Sequence, residues 1–212
     1  MPKFEISDLK RKTRSHCGTQ IYMASHPVLR SFMRGVHRPK HFGDRVWGAS
    51  LKLVEQLEFV SAKKVLDIGC GWGLVGVHLA RTKEAEVTCT DLDDCLGQIV
   101  QAHAELNEVS IKFRAVSFKD LIKTDLAYDL VIGSDICFSD EVVAELILLI
   151  DHAYACGTSK VMIADIGRPD FTDLVEHSKK KYITKLEKID DVNNPKPCFI
   201  LTIDFNASRG QN

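Results

Sequence analysis

The sequence lacks the marks of several protein classes. No apolar run approaches the ~20 residues that a membrane span needs. Residues 1–12 are mixed and polar, without the apolar stretch of a secretory signal. No C-x-x-C pair occurs among the seven cysteines, and the count is odd. Such single spacing argues against a disulfide framework and against a structural zinc site. Cys70, Cys89 and Cys137 fall in or at the ends of expected strands, where they read as small buried residues of a reducing compartment. The eight histidines show no H-E-x-x-H or comparable spacing, so no metal is expected. There is no internal repeat, no low-complexity tract and no basic stretch interleaved with aromatics of the kind that stacks single-stranded bases. These absences point to a cytoplasmic globular protein with no membrane partner, and they make nucleic acid an unexpected one.

What is present suits one folded unit with an appendage. The chain has 212 residues, 45% of them hydrophobic, enough for one α/β domain with a sizeable core and an N-terminal extension. A net charge of −1 hides an uneven spread. Ten Lys/Arg stand against three acidic residues before residue 46, leaving about +7 there and about −8 over the rest. Residues 1–44 are therefore read as a basic extension or cap, and 45–212 as the folded domain. The head either meets nucleic acid or an acidic protein, or lies as a solvated arm on its own acidic domain.

Residues 1–20 show little periodicity. Residues 26–36 read as a short helix opening at Pro27, and 47–59 as a helix with Trp47, Leu51, Val54 and Leu57 on one face. From Lys64 the pattern changes to strand–helix alternation. Strands are expected at 65–68, 86–90, 111–116, 129–133 and 160–164, with helices at 74–81, 94–107 and 141–155. Short apolar strands alternating with helices call for a parallel sheet covered on both faces. The last strand-like runs, 181–189 and 198–205, are joined by too short a segment for a helical crossover, so they should pair as an antiparallel hairpin. The expected fold is α/β, a doubly wound, mostly parallel seven-stranded sheet with that hairpin at its C-terminal end.

The informative segment is Val65-Leu66-Asp67-Ile68-Gly69-Cys70-Gly71-Trp72-Gly73. Ligands of open α/β sheets sit outside the carboxyl ends of the strands, where strand order reverses. Glycines there let the backbone turn sharply and approach a ligand without an intervening Cβ. The second strand ends at Asp91, whose carboxylate is placed to accept hydrogen bonds from the two hydroxyls of a ribose. Gly71-Trp72-Gly73-Leu74-Val75-Gly76 also fits the dinucleotide fingerprint G-x-G-x-x-G, so glycine spacing alone leaves an NAD-dependent oxidoreductase open. Asp67 speaks against it. A carboxylate two residues before the first glycine repels a pyrophosphate seated at the following helix N-terminus. It suits the ammonium and sulfonium of S-adenosyl-L-methionine, which is cationic where NAD is anionic. The plainer alternative for Asp67 is a strand-end capping carboxylate. Trp72, inside the loop, is expected to be partly exposed above the ligand.

The run VLDIGCGWG, the acidic tip TDLD and five strand–helix units closed by a hairpin resemble the class I, seven-stranded S-adenosylmethionine-dependent methyltransferases, over residues 45–205. The resemblance implies a Rossmann-like fold and methyltransferase activity. It also implies that Asp67, Gly69 and Gly71 line the methionine end of the cofactor and that Asp91 holds the ribose. The adenine would meet residues 117–120, with Phe118 or Asp120 supplying the contact. Arg45-Val46-Trp47-Gly48-Ala49-Ser50 before the first strand, with Ser134-Asp135-Ile136-Cys137-Phe138 after the fourth, resemble a narrower group. It contains many non-histone protein lysine methyltransferases and the bacterial nicotinamide-N-methylase-like proteins. In the lysine enzymes a Trp at the place of Trp47 packs near the cofactor, and an Asp-x-x-Tyr follows strand four. Here Asp135 is present and Phe138 replaces the tyrosine.

Methyl transfer from a sulfonium is an in-line displacement, in which positioning and desolvation of the nucleophile supply much of the rate. A lysine acceptor must first lose a proton that it holds up to a pKa near ~10.4. Asp135 either orients that amine or takes its proton through water, or else it is an outlying carboxylate or a helix cap. Arg168 either grips an anionic group of the substrate in bidentate fashion or forms a surface ion pair. Phe138 is a further candidate for contact with substrate, and Trp47 serves either the cofactor or the core. No N/D-P-P-Y/F motif follows strand four, which counts against methylation of a nucleobase amino group. The expected acceptor is a protein lysine side chain. The alternatives are the nitrogen of a small molecule and a module that binds the cofactor without turnover.

Overall fold

The computed structural model describes residues 12–33, 39–191 and 194–210. Parts of the expected basic cap, 1–11 and 34–38, lie outside the described residues. The chain opens with a hairpin of β1 (Thr13–His16) and β2 (Thr19–Tyr22), then α1 (Pro27–Phe32) and α2 (Gly48–Gln56). Strict alternation follows through β3 (Lys64–Ile68), α3 (Leu74–Lys83), β4 (Glu86–Asp91), α4 (Leu96–Leu106), β5 (Lys112–Ala115) and α5 (Phe118–Leu121). It continues with β6 (Leu130–Ser134), α6 (Asp140–Ala155), β7 (Lys160–Asp165) and α7 (Pro169–Lys181). The chain closes with β8 (Ile183–Asp191), β9 (Asn194–Asp204) and α8 (Phe205–Arg209).

Seven strands form one sheet in the order β5-β4-β3-β6-β7-β9-β8. β3 to β7 are parallel, while β9 runs antiparallel between β7 and β8. Alternation along each strand feeds two cores. Val65 of β3 packs in the layer with Leu53, Val77 and Val100, while Leu66 and Ile68 pack in the opposite layer with Leu146, Leu149 and Leu174. Burial on both faces is why these strands read as continuous apolar runs. The chain goes from β3 to β4 and β5 on one side, then crosses to β6 on the other, so the loops after β3 and β6 diverge. That divergence opens a crevice at their carboxyl ends.

Three elements depart from the sequence expectation. Residues 13–22 form a hairpin around a left-handed Cys17-Gly18 turn, with φ +47° and +77°. It is secured by side chains far along the chain. Gln20 N donates to Asn107 Oδ1 at 2.8 Å, Tyr22 N donates to His103 Nε2 at 3.1 Å, and Thr19 Oγ1 lies 2.9 Å from His78 Nδ1. Helix α7 is unmarked by strong hydropathy, because it buries only Phe171, Leu174, Val175 and Ser178. Its signal is that spacing, together with Pro169 at its start. The single turn α5 is too short for periodicity and is set by Ser117, whose Oγ accepts from Asp120 N. Among the described residues no helix is long and apolar enough to cross a membrane, and no group of three His, Cys, Asp or Glu is placed to hold a metal ion.

Candidate functional site

A cleft of about 230 Å3 opens at the carboxyl ends of the central strands. Gly69 and Gly71 line it from the loop after β3, Asp91 and Leu92 from the tip of β4, and Val116, Ser117 and Phe118 from the end of β5. Ser134 lines it from the end of β6, Asp135, Ile136 and Phe138 from the loop that follows, and Val142 and Glu145 from α6. His41, Phe42, Gly43 and Trp47 reach it from the N-terminal part of the chain. A recess of about 30 Å3 continues past Trp47 and Gly71 to Cys70 and Trp72.

The glycine turn holds Gly69, Gly71 and Gly73 at φ +59°, +53° and +73°. A Cβ on Gly71 would meet no atom within 4 Å, so the bare backbone there faces open space. Asp91 steadies the turn: its Oδ2 accepts from Gly71 N at 2.9 Å and its Oδ1 from Leu92 N at 2.7 Å. Burial raises its pKa, against the lowering effect of these bonds. A carboxylate oxygen takes more than one bond, so both can still accept ligand hydroxyls.

Asp67 lies beneath the turn and lines neither cavity. It is buried, and its Oδ2 accepts from Gly76 N in the first turn of α3 at 2.9 Å. Burial, with the nearby Asp91 charge, pushes its pKa up to about 7. The amide end of α3, the ordinary seat of a pyrophosphate, is thus already engaged by the chain's own carboxyl group.

Trp47 stands immediately before α2, half-buried, with the Arg45 guanidinium 5.2 Å from its ring centre. Asp135 follows β6 at φ +58°. Its Oδ2 accepts from Ala49 N at 2.9 Å, serving as the side-chain cap that Trp47 itself does not provide for α2. Its Oδ1 lies 3.3 Å from the Arg168 guanidinium, which also bonds Asp165 at 2.5 Å. Burial raises the Asp135 pKa and the Arg168 charge opposes the rise. Arg168 itself does not line the cleft and reaches it only through Asp135. Phe118 lines the cleft, while the Asp120 carboxylate is engaged by Ser117 and Lys123. Trp47, Gly69, Gly71, Asp91, Phe118, Asp135 and Phe138 therefore meet in one cleft, and Asp67 and Arg168 stand behind it.

Sequence reading missed the strap formed by residues 39–47. Lys40 N and His41 N both donate to Asp93 Oδ2 at 2.8 Å, and His41 Nδ1 donates to Asp93 Oδ1 at 2.9 Å. Trp47 Nε1 donates to Phe42 O at 2.8 Å, and Trp72 Nε1 to Gly43 O at 3.0 Å. Trp72 is consequently buried, not partly exposed: its ring packs with Leu29, Leu96 and Ile99. The available signal was Asp93, a second carboxylate two residues beyond Asp91 in TDLD.

Comparison with known proteins gives four likenesses. A family model described as lysine methyltransferase matches residues 6–189. The chain is 32% identical over 97 residues to a ubiquinone biosynthesis O-methyltransferase of Coxiella burnetii, covering 46% of this chain and 40% of that one. It is 23% identical over 120 residues to the electron transfer flavoprotein beta subunit lysine methyltransferase of Rattus norvegicus, covering 57% and 47%. The chain thus spans less than half the length of these relatives. Among solved structures, the precorrin-6y C5,15-methyltransferase of Geobacter metallireducens shares the fold, with a TM-score of 0.58 at 12% identity over 73% of this chain and 86% of that one.

Proposed function

The chain belongs to the lysine methyltransferase family, and from that premise we propose that it transfers the methyl group of S-adenosyl-L-methionine to the ε-amino nitrogen of a protein lysine. The observation that carries the cofactor assignment is Asp67 on the amide end of α3. A carboxyl group in that place takes up an amide that a pyrophosphate would use, which disfavours NAD and leaves the cleft to a ligand without one. The remaining donor set fits the same molecule: Asp91 accepts from the ribose hydroxyls, Gly69 and Gly71 admit the methionine end against bare backbone, and Phe118 packs on the adenine. When bound, S-adenosylmethionine supplies an electrophilic methyl group on a sulfonium.

The acceptor assignment rests on membership of the lysine methyltransferase family, on the likeness to the rat lysine methyltransferase and on a cleft mouth rimmed by exposed aromatic rings. Such a rim suits a side chain offered from a protein surface. Phe42, Trp47 and Phe138 exclude water around the acceptor nitrogen, whose neutral form is the nucleophile. Asp135 is assigned a positioning role, since Ala49 N and Arg168 fix the direction of its carboxylate. It ties the start of α2, and with it Trp47, to the end of β6. The amine releases its proton to solvent before it passes the rings.

Calorimetric titration with S-adenosylmethionine, S-adenosylhomocysteine and NAD, on the wild type and on Asp91→Ala, tests the cofactor. Both adenosyl-sulfur ligands are expected to bind, about tenfold or more weakly in the variant, the equivalent of one lost charge-assisted contact. Binding of NAD alone would overturn the reading. Incubation of a cell lysate with methyl-labelled cofactor should then label protein lysines, identified by mass spectrometry. Label confined to small molecules would overturn the acceptor assignment and leave the cofactor standing.

A further inference from the structure

Phe42 stands in a backbone conformation that its own side chain resists. Its φ is +60°, in the left-handed region where a bulky residue is a genuine outlier. Burial does not offset that strain, because the residue is 63% exposed. The conformation is imposed from outside. Asp93 holds the backbone amides of Lys40 and His41 on one side, and two indoles, Trp47 and Trp72, hold the carbonyls of Phe42 and Gly43 on the other. Gly43 itself lies against α4, where a Cβ would be 2.6 Å from Leu96 Cδ1, so the strap cannot shift inward to relax its neighbour. The result is a fixed backbone carrying a free ring. That ring stands in the cleft mouth with its centre 5.3 Å from that of Phe138, at 58°. Strain that persists at a cleft because its surroundings over-determine it is characteristic of a working site. Asp135, at φ +58°, shows the same feature on the opposite wall.

Resting on the methyltransferase reading above, we propose that Phe42 is the specificity-determining residue of the acceptor site and, in contact with Phe138, forms one continuous aromatic wall that selects an amine by the length of the unbranched alkyl stem lying along it. Neither ring carries a hydroxyl, so the wall offers no hydrogen bond to a headgroup and recognises the methylenes that lie along it. Ring faces also attract the ammonium as it approaches. The strap holds the wall in place before the acceptor arrives, so little entropy is lost on binding. Asp93 and Trp72 are positioning residues in this arrangement, since they touch the strap and not the acceptor.

The test uses the full chain and the variant Phe42→Asn, because asparagine accepts left-handed backbone. Its thermal midpoint should equal or exceed that of the wild type. Affinity for S-adenosylhomocysteine, measured by calorimetry, should agree within about twofold between the two proteins, since Phe42 lies on the acceptor side. With that ligand saturating, n-propylamine, n-butylamine, n-pentylamine and n-hexylamine are titrated by ligand-observed NMR. Wild-type affinity should rise about two- to fourfold per methylene, the upper figure corresponding to full burial, and the gradient should collapse in the variant. Equal gradients in both proteins, or none in the wild type, would overturn the role of Phe42 while leaving the methyltransferase reading intact. A loss of S-adenosylhomocysteine affinity with the gradient unchanged would make Phe42 a cofactor contact and overturn it equally. Failure of the wild type to bind S-adenosylhomocysteine would overturn the parent reading, and this one with it.

Discussion

At the scale of single residues, the glycine turn contains two positions that look alike in sequence and differ in space. A Cβ on Gly69 would lie 2.6 Å from Ile136 Cγ2, whereas one on Gly71 would meet nothing, and both have positive φ. Gly69→Ala should therefore cost about 2–3 kcal/mol of stability, from left-handed strain plus overpacking. Gly71→Ala should cost about 1 kcal/mol from strain alone. Its new methyl stands where the ligand approaches, so binding of S-adenosylhomocysteine should weaken roughly tenfold or more, or about 1.4 kcal/mol. Urea unfolding and calorimetry read the two effects separately, and identical behaviour of the two variants would contradict this division of labour. The glycines and Asp91 were legible because left-handed turns and strand-tip carboxylates announce themselves locally. Phe42 was not, because nothing near it in sequence requires an aromatic ring.

At the scale of elements, the N-terminal segment is stitched to the strand tips by side chains that those tips provide. Asp135 caps α2 from a position 86 residues away. Asp135→Ala should destabilise the chain by about 1–2 kcal/mol through loss of that cap. Asp135→Asn keeps an acceptor oxygen and should cost about 0.5 kcal/mol less or better, since only the Arg168 pairing is weakened. Urea midpoints for the pair measure the difference. An alanine variant as stable as the wild type would refute the capping role and reopen Asp135 as a free acid–base group. The sequence pattern placed α2 correctly within a few residues, since Leu51, Val54 and Leu57 of the expected face lie half-buried or buried at helical spacing. What starts the helix was hidden, because its cap comes from another element.

At the scale of the whole molecule, a buried imidazole joins the N-terminal hairpin to the ligand turn. His103 Nε2 accepts from Tyr22 N, so Nδ1 carries the proton and donates to Trp72 O at 2.9 Å. Burial lowers its pKa to about 4, below the ordinary value of 6.5. A folded-state pKa below the unfolded one means that stability from neutral His103 is complete above pH 6.5 and drains away as the pH falls towards 4. Between pH 7 and pH 4 the wild type should lose about 3 kcal/mol more than His103→Gln, measured by urea unfolding at each pH. Parallel loss in both proteins would remove His103 as the cause. By itself, the sequence determined the parallel sheet, its closing hairpin, the glycine turn and the acidic tip of β4, because these follow from local apolar periodicity and backbone sterics. Tertiary structure alone decided that Asp67 lines neither cavity, that Trp72 is buried, and that a strap crosses the cleft mouth. Each of the last two, and the cap on α2, depends on a contact between distant residues: 29 positions separate Trp72 from Gly43, 53 separate Lys40 from Asp93, and 86 separate Ala49 from Asp135. No local pattern encodes such pairings, since they exist only once the sheet has brought its strand tips together.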